Sequence, residues 1–200
     1  MNNERILVVK RATLFADTQA WQGINAQDLE KYALLVEREQ EFHQRMLMET
    51  DQRYKQIIPY LVFTYSDKYF LMQRAQGASE KRLQNKYSLG IGGHIRQEDM
   101  LHGSIFEWAQ REFHEEVSYN GQLTITPLGV LNDDTNDVGK VHMGFVLLLE
   151  GTSADIAIKS ELKSGQLLTL AELEPYVAQM EQWSAMVYAL LKDDMQSRAG

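Results

Sequence analysis

The chain has 200 residues, 44% hydrophobic and 24% charged, with a formal net charge of −8 at pH 7 and no cysteine. These are globular values, enough for one substantial core, and the acidic balance argues against a surface that coats nucleic acid or an acidic membrane. The missing cysteines exclude a disulfide framework, a thiolate metal site and a cysteine nucleophile.

In chain order, "RILVVKR" (5–11) predicts a first strand. Residues 27 to 50 are rich in helix formers and predict one or two helices. "IIPYLVFTYS" and "KYFLMQR" flank a Ser-Asp pair and predict a β-hairpin. "KYSLGIGGH" predicts a short strand ending in paired glycines. "SIFEWAQREFHEEV" predicts a helix, with Ser104 as N-cap and Glu107 completing a capping box. "LTITPLGVL" and "VHMGFVLLLE" predict two strands joined by the polar loop "NDDTNDVGK". "LTLAELEPYVAQM" and "EQWSAMVYALLKDDM" predict closing helices, and the final "QSRAG" is expected to fray. Strands and helices alternate irregularly, so the expected fold is a mixed sheet covered by helices. The start of the chain lacks the pattern of a signal peptide and no apolar run could span a bilayer, so a cytoplasmic protein is expected.

The densest chemistry lies in "REFHEEV" (111–117), with carboxylates at 112, 115 and 116. On a helix these are i, i+3 and i+4 neighbours and span an arc of about 100°. Phe106, Ala109, Phe113 and Val117 form an apolar stripe that Glu112 and Glu116 border. Three ionised groups at the edge of a core raise one another's pKa unless a positive charge intervenes. Arg111 can offset one of them, through an i,i+4 pair with Glu115. Several carboxylate oxygens suit a hard divalent ion such as Mg²⁺ or Mn²⁺, whereas an exposed acidic helix face would need no ligand at all. Upstream, "GIGGH" (90–94) lets the backbone turn tightly and approach a ligand closely.

Together these features resemble the Nudix hydrolases. Their signature runs Gly, five residues, Glu, seven residues, then Arg-Glu-apolar-any-Glu-Glu-any-Gly-apolar. Gly93 fits the first position, and "REFHEEVSY" supplies Arg111, Glu112, Phe113, Glu115, Glu116 and a closing Tyr119. Two departures stand out. The span from Gly93 to Arg111 is four residues longer than the family spacing, and Ser118 replaces the usual glycine. The first box glutamate therefore falls on Gly103 counting backwards, or on Asp99, beside Glu98, counting forwards.

The resemblance implies an α+β fold, an α/β/α sandwich with a mixed sheet between helices. Residues 1–55 would then be an N-terminal extension and 56–195 the Nudix domain. It implies hydrolysis of a diphosphate linkage in a small phosphorylated, nucleotide-like compound. Mg²⁺ or Mn²⁺ would be held by Glu112, Glu115 and Glu116 and by a carbonyl of the glycine strand, at Gly92. Arg111 would hold a glutamate in place. The general base would be Glu161, from "SELKSGQLLTLAEL", with Glu98 and Asp99 as rivals. Arg74 and His94 are the expected substrate-binding residues. The acidic loop residues Asp133, Asp134 and Asp137 read as a solvated turn rather than an extra metal site.

His142 reads as a half-buried strand residue, and Trp108 and Trp183 as packing. No nucleic-acid polymer or membrane is expected as a partner, and a homodimer is an assembly the family allows. The alternative activity class is a Nudix-fold ligand-binding or regulatory protein with weakened turnover. An isopentenyl diphosphate isomerase on the same fold is disfavoured, since those enzymes use a cysteine.

Overall fold

Strand β1 (Arg5–Lys10) carries four consecutive apolar residues, Ile6 to Val9, and all four are buried. Such a continuous run is what a strand covered on both faces requires. The computed structural model describes residues 4–74, 86–101, 105–159 and 162–199. The fold is α+β, a mixed sheet with helices, and the chain divides into two compact units that interleave in sequence.

The first unit takes residues 1–60, 92–109 and 127–147. It holds α1 (Arg11–Leu14), β2 (Gly23–Asn25), α2 (Leu29–Glu39), β3 (Glu41–Gln44) and α3 (Arg45–Met48). The segment expected to be one or two helices is thus broken by a strand. Glu41–Gln44 pairs antiparallel with β1, Ile6 facing His43, and Gln40 is already extended at φ −61°, ψ 137°. Pairing to a buried strand overrides helix propensity there. β1 also pairs antiparallel with the start of β4 (Tyr54–Tyr65), Val8 facing Gln56. Ile6, Val8 and Met48 form a buried cluster with Tyr54 against it. Phe15, Trp21 and Tyr32 form a second, edge-to-face cluster with centroids 5.6 and 5.1 Å apart.

The second unit takes residues 61–91, 110–126 and 148–200. Its hairpin is the one expected: β5 (Lys68–Arg74) returns from β4 with Tyr65 facing Lys68. Ser66 in the turn is the one non-glycine residue with positive φ, 55°, among those described. Strand β6 (Tyr87–Ser88) pairs with β5, and the adjoining β7 (Gly90–Gly92) pairs with β4. Helix α4 (Ile105–Glu116) leads into β8 (Val117–Tyr119), and the strand "LTITPLGVLN" is β9 (Leu123–Asn132).

The polar loop beyond β9 contains α5 (Asp137–Val141), capped by the Asn136 side chain accepting from Gly139 N–H, and β10 (His142–Gly151) follows. β11 (Ile156–Ile158) pairs with β8, and β12 (Leu162–Thr169) pairs antiparallel with β5. A capping box of Thr169 and Glu172 starts α6 (Leu170–Leu173), a 3-10 turn covers Glu174–Gln179, and α7 (Gln182–Ala199) closes the chain. Helix α7 persists through most of the "QSRAG" tail expected to fray. Phe63 anchors this unit's core, stacked on Phe113 at 5.6 Å and edge-on to Tyr119 at 5.0 Å.

Gly139 shows how tightly α5 closes. A Cβ there would sit 1.7 Å from the Asp133 carbonyl oxygen. Gly139→Ala is therefore expected to destabilise the protein by about 1–3 kcal/mol, read as a lower urea midpoint at unchanged slope.

Candidate functional site

Helix α4 is fixed by its apolar stripe: Ala109, Phe113 and Val117 are fully buried. The side chain of Phe106, and Ser104 with it, lie outside the described residues. Glu112 and Glu116 are half-buried beside the stripe, while Arg111 and Glu115 are exposed. The Arg111 guanidinium stands 3.7 Å from the Glu115 carboxylate, the expected i,i+4 pair. The helix thus presents two sheltered carboxylates one turn apart and a third turned towards an arginine. Among the described residues, no three acidic or imidazole groups close on one point as a metal cage.

The helix ends without the family's glycine. Lys159 takes over that role: its main-chain N–H reaches the Glu116 carbonyl at 3.0 Å and its ammonium binds the His114 carbonyl. These donors satisfy orphan carbonyls and set a positive charge at the negative end of the helix dipole. Ser118 can then continue directly into β8, where it faces Ala157 of β11.

Gly92 has a packing reason for its missing side chain. A Cβ on Gly92 would press at 3.2 Å on Ile58 and 3.3 Å on Tyr60 of β4. The loop beyond it is tied back by Asp99, whose carboxylate accepts from Arg96 N–H at 2.8 Å and from the Trp108 indole at 2.9 Å. One oxygen of this rival base is therefore structural, whereas Glu98 is exposed. Asp99→Ala is expected to cost about 1–2 kcal/mol and to shift the emission of buried Trp108.

His94 has its Nε2 2.8 Å from the Gln56 side-chain oxygen, and the Gln56 amide nitrogen donates to the Met48 carbonyl at 3.1 Å. A carbonyl only accepts, so the Gln56 oxygen must face His94 and Nε2 must carry the hydrogen. Burial, with Arg45, His142 and Arg96 nearby, depresses its pKa to about 3. His94 is thus neutral, its one N–H is spent on protein, and its other nitrogen can only accept. The N–H expected to meet a phosphate is engaged by Gln56 in this structure. His142 is more enclosed than expected, 8% exposed, with Nδ1 2.8 Å from the Val138 carbonyl. Trp108 is buried and Trp183 half-buried, both on helices. The Arg74 side chain and Glu161 lie outside the described residues.

The acidic loop is not the solvated turn expected. Asp133 is fully buried and accepts from Thr135 and Asn136. Asp134 binds Arg11 through both oxygens, at 3.0 and 2.5 Å, and the fully buried Lys55 at 2.7 Å. The Lys55 ammonium also donates to the Gly139 and His142 carbonyls, at 2.6 and 3.2 Å. It stands where a bound cation would otherwise be needed. Burial lowers the Lys55 pKa more than Asp134 raises it. Burial pushes the Asp134 carboxyl up, but Arg11 and Lys55 outweigh it and hold it at about 2. Both values are lowered, but to opposite effect: burial disfavours the enclosed Lys55 ammonium, whereas the two cations favour the less enclosed Asp134 carboxylate. Asp137 alone is solvated, paired with Lys140. Lys55 and Gln56 escape sequence reasoning because a Lys-Gln pair ahead of an apolar run looks like an ordinary strand edge.

No family model matches the chain. Protein YmaB of Bacillus subtilis (strain 168) is 33% identical over 204 residues, covering 95% of this chain and 98% of that protein. The crystal structure of Tm1382, a candidate Nudix hydrolase, matches with a TM-score of 0.78 and 30% identity over 94% of this chain and 98% of that one. The Nudix domain of Shewanella oneidensis NrtR, solved with ADP ribose, shares the fold at a TM-score of 0.56 and 12% identity, over 70% of this chain and 88% of that one. A Francisella tularensis bifunctional NMN adenylyltransferase/ADP ribose pyrophosphatase, solved with AMP and a Mn ion, matches at 0.55 and 13% identity, over 82% of this chain and 47% of that one. With Arg111, Glu112, Glu115 and Glu116 on the helix where the Nudix signature places them, and a relative of this identity along nearly its whole length, the chain belongs to the Nudix hydrolase family.

Proposed function

We propose that this hydrolase is a divalent-metal-dependent pyrophosphohydrolase that cleaves a diphosphate linkage in a small nucleotide-like compound. The observation that carries the reading is the pair of half-buried carboxylates, Glu112 and Glu116, one turn apart beside the Arg111–Glu115 pair. A closed cage is not required for Mg²⁺, which keeps several waters and takes one or two carboxylates together with substrate phosphates. The donor set on α4 therefore fits, with Glu115 as a further ligand. When bound, Mg²⁺ or Mn²⁺ supplies charge neutralisation at the phosphate oxygens and a lower pKa for the attacking water.

The protein's own contribution is orientation and proton transfer. Arg111 steers the Glu115 carboxylate, the helix holds Glu112 and Glu116 at fixed spacing, and Glu161 is the base that takes the water proton. ADP ribose and AMP in the two distant relatives' structures support a nucleoside diphosphate or its derivatives as substrate class.

The test is a panel of nucleoside triphosphates, sugar nucleotides, dinucleoside polyphosphates and coenzyme esters with Mg²⁺ or Mn²⁺, followed by phosphate release. Metal-dependent cleavage of at least one class is expected. A second reading, a Nudix-fold ligand-binding protein, draws on Gly103 standing where the first box glutamate falls and on Asp99 being occupied in its loop. A panel with binding and no cleavage would select it.

A further inference from the structure

Glu115 and Glu116 stand in the last turn of α4, the unfavourable end of a helix for carboxylates. The carbonyls there carry the negative end of the helix dipole, and acidic side chains among them loosen the turn. The one basic residue of that turn is His114. Glu112, a turn earlier, is held by the body of the helix, whereas Glu115 and Glu116 are only as well placed as the turn that carries them.

Lys159 closes this turn from outside the helix. The chain runs from α4 straight into β8, and β11 lies antiparallel beside it, with Ala157 facing Ser118 and Ile158 facing Val117. One step further, the same register sets Lys159 opposite Glu116. There its N–H donates to the Glu116 carbonyl at 3.0 Å, and its ammonium donates to the His114 carbonyl. The two bonds are not equivalent. The main-chain bond extends the ribbon, and any residue except proline could supply it. The ammonium is particular to lysine, and it brings a full positive charge to carbonyls that two carboxylates crowd.

We propose that Lys159 is a positioning residue for the metal site: by pinning the last turn of α4 it holds the Glu115 and Glu116 carboxylates where they can take a divalent ion together with Glu112. This rests on the metal-dependent reading above. Groups that orient ligands from behind are worth about 10- to 100-fold in metal affinity. On charge alone, losing Lys159 would favour a cation. Its side chain is exposed, however, so water and salt screen that repulsion, and the loss of orientation dominates.

The experiment titrates the full chain with Mn²⁺, following free Mn²⁺ by electron paramagnetic resonance, and measures amide exchange at Glu115 and Glu116 without metal. It compares the wild type, Lys159→Met, Lys159→Arg and Lys192→Met at a temperature where thermal melts show every variant folded. Methionine keeps the main-chain donor and loses the ammonium, while arginine keeps a charged donor. Lys192→Met removes the same charge from α7, where Lys192 binds Glu174 at 2.8 Å. Lys159→Met is expected to weaken Mn²⁺ about 10-fold and to speed exchange at Glu115 and Glu116. Lys159→Arg should restore both, and Lys192→Met should change neither. Faster exchange with wild-type Mn²⁺ affinity would reduce Lys159 to a helix cap and overturn the positioning role. Tighter binding in Lys159→Met, weaker binding without faster exchange, or equal weakening in Lys192→Met would overturn it too. A wild type that binds no Mn²⁺ would instead remove the metal reading, and the inference with it.

Discussion

Glu116→Gln is expected to lower metal-dependent turnover by about 10²-fold or more while changing stability by less than about 0.5 kcal/mol. Glu115→Gln should behave in the same direction. The substitution keeps the shape of the side chain and removes its charge, exchanging one acceptor oxygen for an NH₂ donor, so it separates electrostatics from packing. The stability of α4 comes from Ala109, Phe113 and Val117, all fully buried, and from the Lys159 cap at its end, none of which the change touches. In the proposed mechanism turnover, in contrast, depends on a negative charge beside a hard cation. Like charges at i and i+4 repel in a bare helix, so Glu112 and Glu116 are a combination that folding alone would not select. The measurement is kcat against the best substrate at saturating Mg²⁺, beside a thermal melt without metal. Wild-type rates in both variants would sink the catalytic assignment; a collapse of the melt would make these residues structural.

Much of the fold was legible where one signal was strong over several residues. The buried run of β1, the Ser-Asp hairpin of β4 and β5, and the amphipathic α4 each follow from periodicity or turn chemistry. Strand β3 did not, because Glu41–Gln44 reads as helix in isolation and becomes a strand only by pairing with β1. β2, β8 and β11 span three residues each, too few for a period to show.

The same division runs through the site. Arg111, Glu112, Glu115 and Glu116 are local on one helix, so spacing found them. What sequence could not show is how each polar group is already used. Asp99 looked like a spare acid and is a loop tie; His94 looked like a phosphate donor and gives its N–H to Gln56; Ser88 and Ser184 looked like nothing, since their relation spans distant segments of the chain. The acidic loop was misread for the same reason, its cation being a lysine from another strand.

That lysine gives the largest stability effect expected. Lys55→Met should destabilise the protein by about 3–5 kcal/mol, because breaking a buried pair leaves its partners uncompensated. Methionine fills most of the volume but donates nothing. The Gly139 and His142 carbonyls would each lose the donor they share, and Asp134 would keep Arg11 alone. The pH dependence carries a second signature. Asp134 has a folded pKa of about 2 against an ordinary 3.8, so its contribution is complete above 3.8 and is lost as pH falls towards 2. Removing Lys55 withdraws one of the two cations that hold the carboxyl down, so this acid-side loss should shrink. Urea midpoints of wild type and Lys55→Met between neutral pH and the acid limit would therefore converge as pH falls. A constant gap at every pH would mean that Lys55 acts by packing alone, and no gap at all would mean that its ammonium does not hold the loop.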